Sequence, residues 1–90
     1  MAHYTTNRGR TYEFSFERQF DGGIRPYIVR QPGYGSRDNS STSTHRLLDG
    51  AGRPYICWTK KLTSEQEAMK VAAGWAVRND VYIDTGVWKR

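Results

Sequence analysis

The sequence TYEFSFERQF, residues 11–20, decides the fold because its side chains alternate between apolar and polar along most of its length. A period of two is typical of a β-strand with one buried face. Asp21-Gly22-Gly23 follows as a tight turn, in which glycine supplies the positive φ angle, and residues 24–31 return as a second strand. The two strands predict a β-hairpin. The aromatic residues predicted to share one face are Tyr12, Phe14, Phe16 and Phe20.

The second strand of this hairpin recurs later in the chain. DGGIRPYIV, residues 21–29, and DGAGRPYIC, residues 49–57, share Asp-Gly and then Arg-Pro-Tyr-Ile at an offset of 28 residues. Strands at residues 45–48 and 53–59 enclose the second Asp-Gly, so each copy predicts one hairpin, and two hairpins predict a four-stranded antiparallel meander. Common turn residues could also account for part of the match. Pro26 cannot donate a ladder hydrogen bond, which places its strand at a sheet edge or turns its nitrogen outward.

A helix is predicted to follow these strands. Ser64 and Glu67 have the spacing of a capping box, and acidic residues in the first turn favour the positive end of the helix dipole. The helix is expected over residues 65–78, after which Asn79-Asp80 breaks it and residues 81–85 form a short fifth strand. An apolar stripe at three- and four-residue spacings should pack against the sheet. The stripe consists of Ala68, Met69, Val71, Ala72, Trp75 and Ala76.

Together these elements predict one α+β domain, with an antiparallel four- to five-stranded sheet and a single helix packed on one of its faces. Ninety residues can form only one core, and the domain is expected to cover residues 11–85. Residues 1–10 are expected to be a flexible basic N-terminal arm, and residues 86–90 a C-terminal tail. Within the domain, the Gly- and Ser-rich residues 32–44 predict a mobile loop.

The composition predicts the compartment in which the chain works. Cys57 is the single cysteine, so no internal disulfide can form, which agrees with a reducing environment. The longest run of apolar or small residues, 71–77, is far shorter than the roughly 20 residues that span a bilayer. The N-terminal residues lack the apolar segment of a secretory signal. We therefore expect a cytoplasmic protein without a membrane partner.

The charge of the chain indicates an anionic partner. All of the net charge of +5 comes from residues 1–63, which contain ten Lys or Arg and five acidic residues, whereas residues 64–90 contain four of each sign. Ten of the fourteen basic residues are arginines, whose guanidinium groups bind phosphate or carboxylate in a fork and stack on aromatic rings. Nucleic acid or a ribonucleoprotein surface is the partner expected first. A basic surface that serves solubility alone is the alternative explanation.

An Arg-x-Tyr pair occurs in both copies of the repeat. The Arg and Tyr of each pair should lie on the open face of the sheet if the apolar side chains of both strands face the helix. Those apolar side chains are Ile24, Ile28, Ile56 and Trp58. Aromatic rings stack on unpaired bases and neighbouring arginines contact phosphate, although tyrosine covered by arginine is also ordinary strand packing. The predicted binding residues are Arg25, Tyr27, Arg53 and Tyr55, with Tyr34, Arg37, Lys60 and Lys61 as auxiliary contacts.

Signatures of catalysis and metal binding are weak. His3 and His45 are the only histidines, and with a single cysteine they give no credible metal shell. No phosphate-binding loop, dinucleotide motif or catalytic triad pattern occurs, so neither a cofactor nor enzymatic activity is expected. A small ribonuclease is the third hypothesis, since it needs a carboxylate base, an imidazole acid and an arginine. The residues that could supply these groups are Glu13, Glu17, His45 and Arg46.

Predicted strands followed by a helix that opens with TSEQEA, residues 63–68, resemble the plant AP2-type and phage integrase arm-binding domains over about residues 45–78. Those domains read DNA with the sheet, so the resemblance implies that use of a sheet and transfers no residue roles. In size and charge the chain also resembles phage-encoded inhibitors, including anti-CRISPR proteins. The sequence therefore predicts a non-enzymatic nucleic-acid-binding domain. A protein–protein inhibitor or adaptor that binds an acidic protein surface is the alternative.

Overall fold

The computed structural model describes residues 1–89, so Arg90 of the predicted C-terminal tail lies outside the described residues. One long helix packs against a five-stranded antiparallel sheet, which confirms the predicted α+β class. Within that part of the chain, no helix combines the length and the apolar character that crossing a membrane requires. The elements in chain order are β1 (Ala2–Thr5), β2 (Thr11–Arg18), β3 (Ile24–Arg30), α1 (Ser41–Thr44), β4 (Arg46–Leu48), β5 (Pro54–Ile56) and α2 (Glu65–Thr85).

The alternating strand β2 supplies the centre of the core. Tyr12 and Phe14 are fully buried, and the Trp75 ring of α2 packs edge-on against both, at centroid distances of 5.7 and 6.3 Å. Buried aromatic side chains of this size contribute much of the hydrophobic stabilisation of a small domain. Phe20 is fully exposed, so the prediction that it shares this face is wrong. The reason is that β2 ends at Arg18, and the alternation ends with it.

The N-terminal residues form an edge strand where the sequence predicted a flexible arm. β1 pairs antiparallel with β2, with Tyr4 opposite Tyr12. The turn after β1 brings two arginines to the far end of α2, where Asp84 accepts from Arg8 at 2.5 Å and from Arg10 at 2.7 Å. These bonds, above all the one from Arg10, lower the pKa of Asp84 to about 2. The basic N-terminus is thus bound to an acidic group of the fold.

The sheet order is β1-β2-β3-β5-β4, so the second hairpin does not continue a meander. Its second strand, β5, lies beside β3, which makes the two Arg-Pro-Tyr-Ile segments antiparallel neighbours with Tyr27 opposite Tyr55. Both copies are hairpins, but their turns correspond at an offset of 30 residues instead of 28, with Gly22 and Gly52 at φ angles of 84° and 81°. The sequence match therefore reflects the strands and not the turns.

Strand β3 is internal to the sheet, yet in the described part of the chain it pairs with β5 only at Tyr27 and Tyr55. On the same side of β3, the Ile24 N–H donates to the Leu62 carbonyl at 2.7 Å. Since N–H groups alternate sides along a strand, the nitrogen of Pro26 also lies on that side, where it has no proton to offer β5. The two strands separate there and leave a gap in the sheet.

Helix α2 begins where the sequence predicts and continues past its predicted end. The Ser64 hydroxyl accepts the Glu67 N–H at 3.1 Å as an N-cap, while the Glu67 carboxylate accepts the Thr63 N–H at 3.1 Å. The helix then runs without interruption to Thr85. The predicted break at Asn79-Asp80 and the predicted fifth strand at residues 81–85 are therefore wrong.

Residues Asn79 and Asp80 stay helical because their buried side chains are bonded inside the fold. Asp80 accepts hydrogen bonds from the hydroxyls of Thr6 and Tyr12. Asn79 donates to the Tyr12 hydroxyl at 3.1 Å and accepts from the Tyr34 hydroxyl at 2.6 Å. Residues that favour a helix end in an isolated peptide therefore act here as polar anchors between α2 and the sheet. We call these five residues the buried polar network.

The segment between β3 and β4, predicted as a mobile loop, packs against the end of α2 and contains the one-turn helix α1. Arg37 donates to the carbonyls of Ile83 and Asp84, both at 3.1 Å, and so satisfies the open end of the helix. α2 ends at Gly86, whose φ of 78° is the left-handed conformation that glycine adopts without strain. The loop thus serves as the cap of the helix.

Candidate functional site

The four residues of the repeated Arg-x-Tyr pairs meet on the sheet face opposite α2. The Tyr27 and Tyr55 rings contact edge to face at a centroid distance of 5.7 Å. Arg25 lies over the Tyr55 ring and Arg53 over the Tyr27 ring, each at 4.1 Å. Each arginine therefore covers the tyrosine of the other copy through a cation–π contact. We call these four residues the crossed pairs.

The crossed pairs are bonded to one another and to two carboxylates. Arg53 donates to both carboxylate oxygens of Glu17, at 2.9 and 3.1 Å, and to Asp49 at 3.1 Å. The Tyr27 hydroxyl donates to Asp49 at 2.9 Å and accepts from Arg25 at 3.2 Å. The backbone N–H of Arg53 is the largest cause of a pKa of about 2 at Asp49, and Glu17 raises the pKa of Arg53. Only 4% of Tyr27 is exposed, so its ring is not free to stack on a base.

Three arginines and three carboxylates lie on or beside this face. Arg30 pairs with Glu13 at 2.9 Å, and the guanidinium of Arg53 pairs with Glu17 at the same distance. The three arginines are Arg25, Arg30 and Arg53, and the three carboxylates are Glu13, Glu17 and Asp49. A balanced surface gives a phosphate backbone little net electrostatic attraction.

A groove of about 380 Å³ opens beside the crossed pairs, at the gap between β3 and β5. Pro26, Ile56 and residues 58–62 contribute to its lining. Gly23 lets residues 58–62 approach closely, because a Cβ there would lie 3.1 Å from the Lys61 side chain. The groove brings together four of the predicted binding residues, Arg25, Tyr55, Lys60 and Lys61.

The groove keeps a positive charge. Three cations line it, namely Arg25, Lys60 and Lys61. Asp21, the one carboxylate in the lining, already accepts the Gly23 N–H at 2.8 Å. Neither lysine forms an ion pair with a carboxylate of residues 1–89. The lysine ammonium groups are therefore available to an anionic ligand.

Exposed aromatic and basic side chains border the groove. Trp58 is 53% exposed and belongs to the lining, and Phe20 is fully exposed at the adjacent turn. Arg18 donates to the Gly22 carbonyl at 3.0 Å in that turn but is outside the groove lining. An indole ring and several cations thus share one concave surface.

Sequence reasoning placed Trp58 in a strand facing the helix, and the structure shows otherwise. β5 ends at Ile56, so Trp58 follows the strand and lines the groove. A usable signal was the sequence Trp-Thr-Lys-Lys, residues 58–61, in which an aromatic residue and two lysines fit neither the strand nor the helix period.

Two predicted auxiliary residues, Tyr34 and Arg37, are not part of the groove lining. Tyr34 donates to Asn79 in the buried polar network, burial raises its pKa, and Arg46 lies 5.0 Å over its ring. Arg37 caps α2. The structure therefore uses both side chains to hold the loop against the helix.

The residues of the hypothetical ribonuclease site lie apart. Glu13 and Glu17 are on the face opposite α2, where both form ion pairs with arginines. His45 stacks on Trp88 at a centroid distance of 4.6 Å, on the side of the sheet that holds the core. Arg46 is bonded within the loop that precedes it. The structure does not assemble these four side chains into one site.

Comparison with protein-family models, with curated proteins and with solved structures found no match for this chain. The resemblance to sheet-reading DNA-binding domains therefore rests on the order of elements alone. The resemblance to phage-encoded inhibitors rests on size and charge. Any function has to be inferred from the groove itself.

Proposed function

We propose that this protein is a non-catalytic domain that binds single-stranded nucleic acid in the groove at the gap between β3 and β5. The contrast in charge between the two candidate surfaces supports this most strongly. Arg30 and Arg53 on the face of the crossed pairs are held in ion pairs with carboxylates, whereas Lys60 and Lys61 in the groove have no ion pair among residues 1–89. A polyanion is therefore attracted to the groove in preference to the face.

Lys60 and Lys61 are the main phosphate contacts in this proposal. Both are exposed, and both lie on a loop segment that follows β5. Arg25 supplies a third contact from the strand side. Its guanidinium lies over Tyr55 and donates to the Tyr27 hydroxyl, and like any arginine it is charged at physiological pH.

Trp58 is the stacking residue. Its indole is half-exposed and lies beside the two lysines in the sequence, so a base and its phosphate can be contacted together. A base–aromatic stack contributes about 1–3 kcal/mol per base. Tyr55, the other aromatic residue of the lining, has one ring face covered by Arg25 and supplies only its remaining surface.

Fluorescence anisotropy with a labelled single-stranded oligonucleotide of about 12 nucleotides tests the proposal. The double variant Lys60→Ala/Lys61→Ala should bind more weakly. Its plot of log K against log salt should be shallower by about 1.4, because each lost phosphate contact removes about 0.7 for a single strand. The matched control is Lys70→Ala/Lys89→Ala, which removes the same charge from residues outside the groove lining.

Three results would count against the proposal. Absence of binding to DNA and RNA oligonucleotides at low salt refutes it outright. Equal losses in the two double variants would mean that binding follows net charge and not the groove. An unchanged affinity in Trp58→Ala would remove the stacking role.

The second candidate function is binding to an acidic protein surface. It is favoured by exposed apolar side chains in or beside the groove lining, since such residues are typical of protein interfaces. They are Phe20, Leu47, Leu48 and Trp58. Under this alternative the oligonucleotides do not bind, and a partner captured by the wild-type chain is lost with Trp58→Ala and with Lys60→Ala/Lys61→Ala alike.

A further inference from the structure

A second pocket of about 390 Å³ lies on the other side of Trp58 from the groove, between β5 and α2. Ile56, Trp58 and Thr59 line both the groove and this pocket, so the two cavities are neighbours on either side of these residues. The volume lies in the range of small-molecule sites. The remaining lining residues are His45, Cys57, Val71, Trp75, Arg78 and Trp88.

Aromatic rings in fixed positions form much of the pocket. The Trp75 indole N–H donates to the Thr44 carbonyl at 3.0 Å, which fixes the ring while leaving its edge in the lining. Trp88 lies 6.4 Å from Trp75 and stacks on His45 with an interplanar angle of 24°. Together with Trp58, three tryptophans contribute to the lining, although only 4% of Trp75 is exposed. Such a site favours a flat ligand that stacks.

The charge of the lining distinguishes between two classes of ligand that bind among aromatic rings, cations and neutral flat rings. Arg78 is the one permanently charged group among the nine lining residues, and no carboxylate is present among them. A quaternary ammonium group or another cation would meet this guanidinium without a counter-charge. A neutral ring attached to an anionic group fits the lining instead.

We infer that this pocket binds one unpaired nucleobase of the strand whose phosphates lie in the groove. The inference rests on the proposed function and extends it, because it assigns a base site distinct from the phosphate contacts. The shared Trp58 and Thr59 place the pocket directly beside the groove, the partly exposed Trp58 and Trp88 indoles supply the stacking surfaces, and Arg78 supplies charge for an adjacent phosphate.

Cys57 provides a direct readout, because it is the only thiol in the chain and its exposed side chain lines the pocket and not the groove. Its rate of alkylation by iodoacetamide is measured alone, with the oligonucleotide, and with an abasic strand of the same length. The abasic strand carries the same phosphates but no bases. Each strand is used at about 20 times its own Kd.

The base-containing oligonucleotide should slow alkylation about 20-fold, as expected for occupancy at that concentration, and the abasic strand should leave the rate nearly unchanged. Equal protection by both strands would show that filling the groove shields the thiol, and this overturns the base site while the proposed function stands. Binding of the base-containing strand without protection of Cys57 would likewise overturn the base site and leave the proposed function standing. If neither strand binds, the proposed function and the base site both fail.

A variant of the pocket gives a second measurement. Trp88→Ala should weaken binding of the base-containing strand by about 5- to 150-fold, the range for losing one base–aromatic stack, with an unchanged salt dependence. Val87→Ala, a change at the exposed neighbouring residue outside the lining, is the matched control and should bind normally. Circular dichroism establishes that both variants are folded. A folded Trp88→Ala protein with wild-type affinity for both strands would refute the base site.

Discussion

Replacing Tyr12 by Phe tests how much the buried polar network stabilises the domain. The change keeps the ring in the core and removes a hydroxyl that donates to Asp80 and accepts from Asn79. A hydrogen bond to a carboxylate contributes about 1.5–3 kcal/mol, and an unpaired buried donor costs about 1–3 kcal/mol. We therefore expect the free energy of unfolding to fall by about 3 kcal/mol. For a domain of this size that loss corresponds to a decrease of about 12–24 °C in Tm.

Urea and thermal unfolding followed by circular dichroism give both quantities. The matched control is Tyr4→Phe, because Tyr4 is partly buried against the same core and its hydroxyl has no hydrogen-bond partner among residues 1–89. That variant should differ from wild type by less than about 0.5 kcal/mol. Equal losses in the two variants, or a Tyr12→Phe protein as stable as wild type, would refute the role assigned to the network.

Two further predictions concern the ends of the fold. The pKa of Asp84 is about 2, below its unfolded value near 3.8, so its stabilising effect is complete above about pH 4 and is lost as the pH falls through 2. The urea concentration at the midpoint of unfolding should therefore fall between pH 4 and pH 2, and it should fall less steeply in Asp84→Asn than in the wild type. The same pH dependence in both proteins would contradict this. Gly86→Ala should lower the free energy of unfolding by about 1–2 kcal/mol, because alanine is strained in a left-handed backbone conformation. The new Cβ would also lie 2.8 Å from the Arg37 guanidinium, so part of this loss should disappear when Arg37 is replaced by Ala as well.

The local features of this fold could be predicted from the sequence. The alternation around Tyr12 predicts β2, and the glycine-rich segment after it predicts the turn. Ser64 and Glu67 predict the start of α2, where the hydroxyl caps as expected. Each of these features depends on residues that are close together in the sequence, so the local sequence pattern is sufficient to predict it.

The features that sequence reasoning missed depend on distant partners. Asn79 and Asp80 favour helix ends in isolation, and the hydroxyls of Thr6, Tyr12 and Tyr34, which come from elsewhere in the chain, keep them helical. The position of β5 beside β3 is likewise a choice between pairings that the hairpin sequences alone do not rank.

The geometry of the candidate site also depends on distant partners that the sequence does not reveal. Arg25 and Tyr55 are brought together by the strand order, and Lys60 and Lys61 reach them across the gap where β3 and β5 separate. No periodicity reports that gap, because it arises where an internal strand loses its partner. The pairing of arginines with carboxylates on the opposite face is equally invisible in a count of charges.

The two copies of the repeat are coupled to each other, so a change in one copy should disturb the other. Arg25 rests on the tyrosine of the second copy and Arg53 on that of the first, so losing either ring leaves an arginine of the other copy without its support. A displaced Arg53 would in turn give up both oxygens of Glu17 on β2. The two Arg-Pro-Tyr-Ile segments therefore support each other structurally, although 28 residues separate them in the chain.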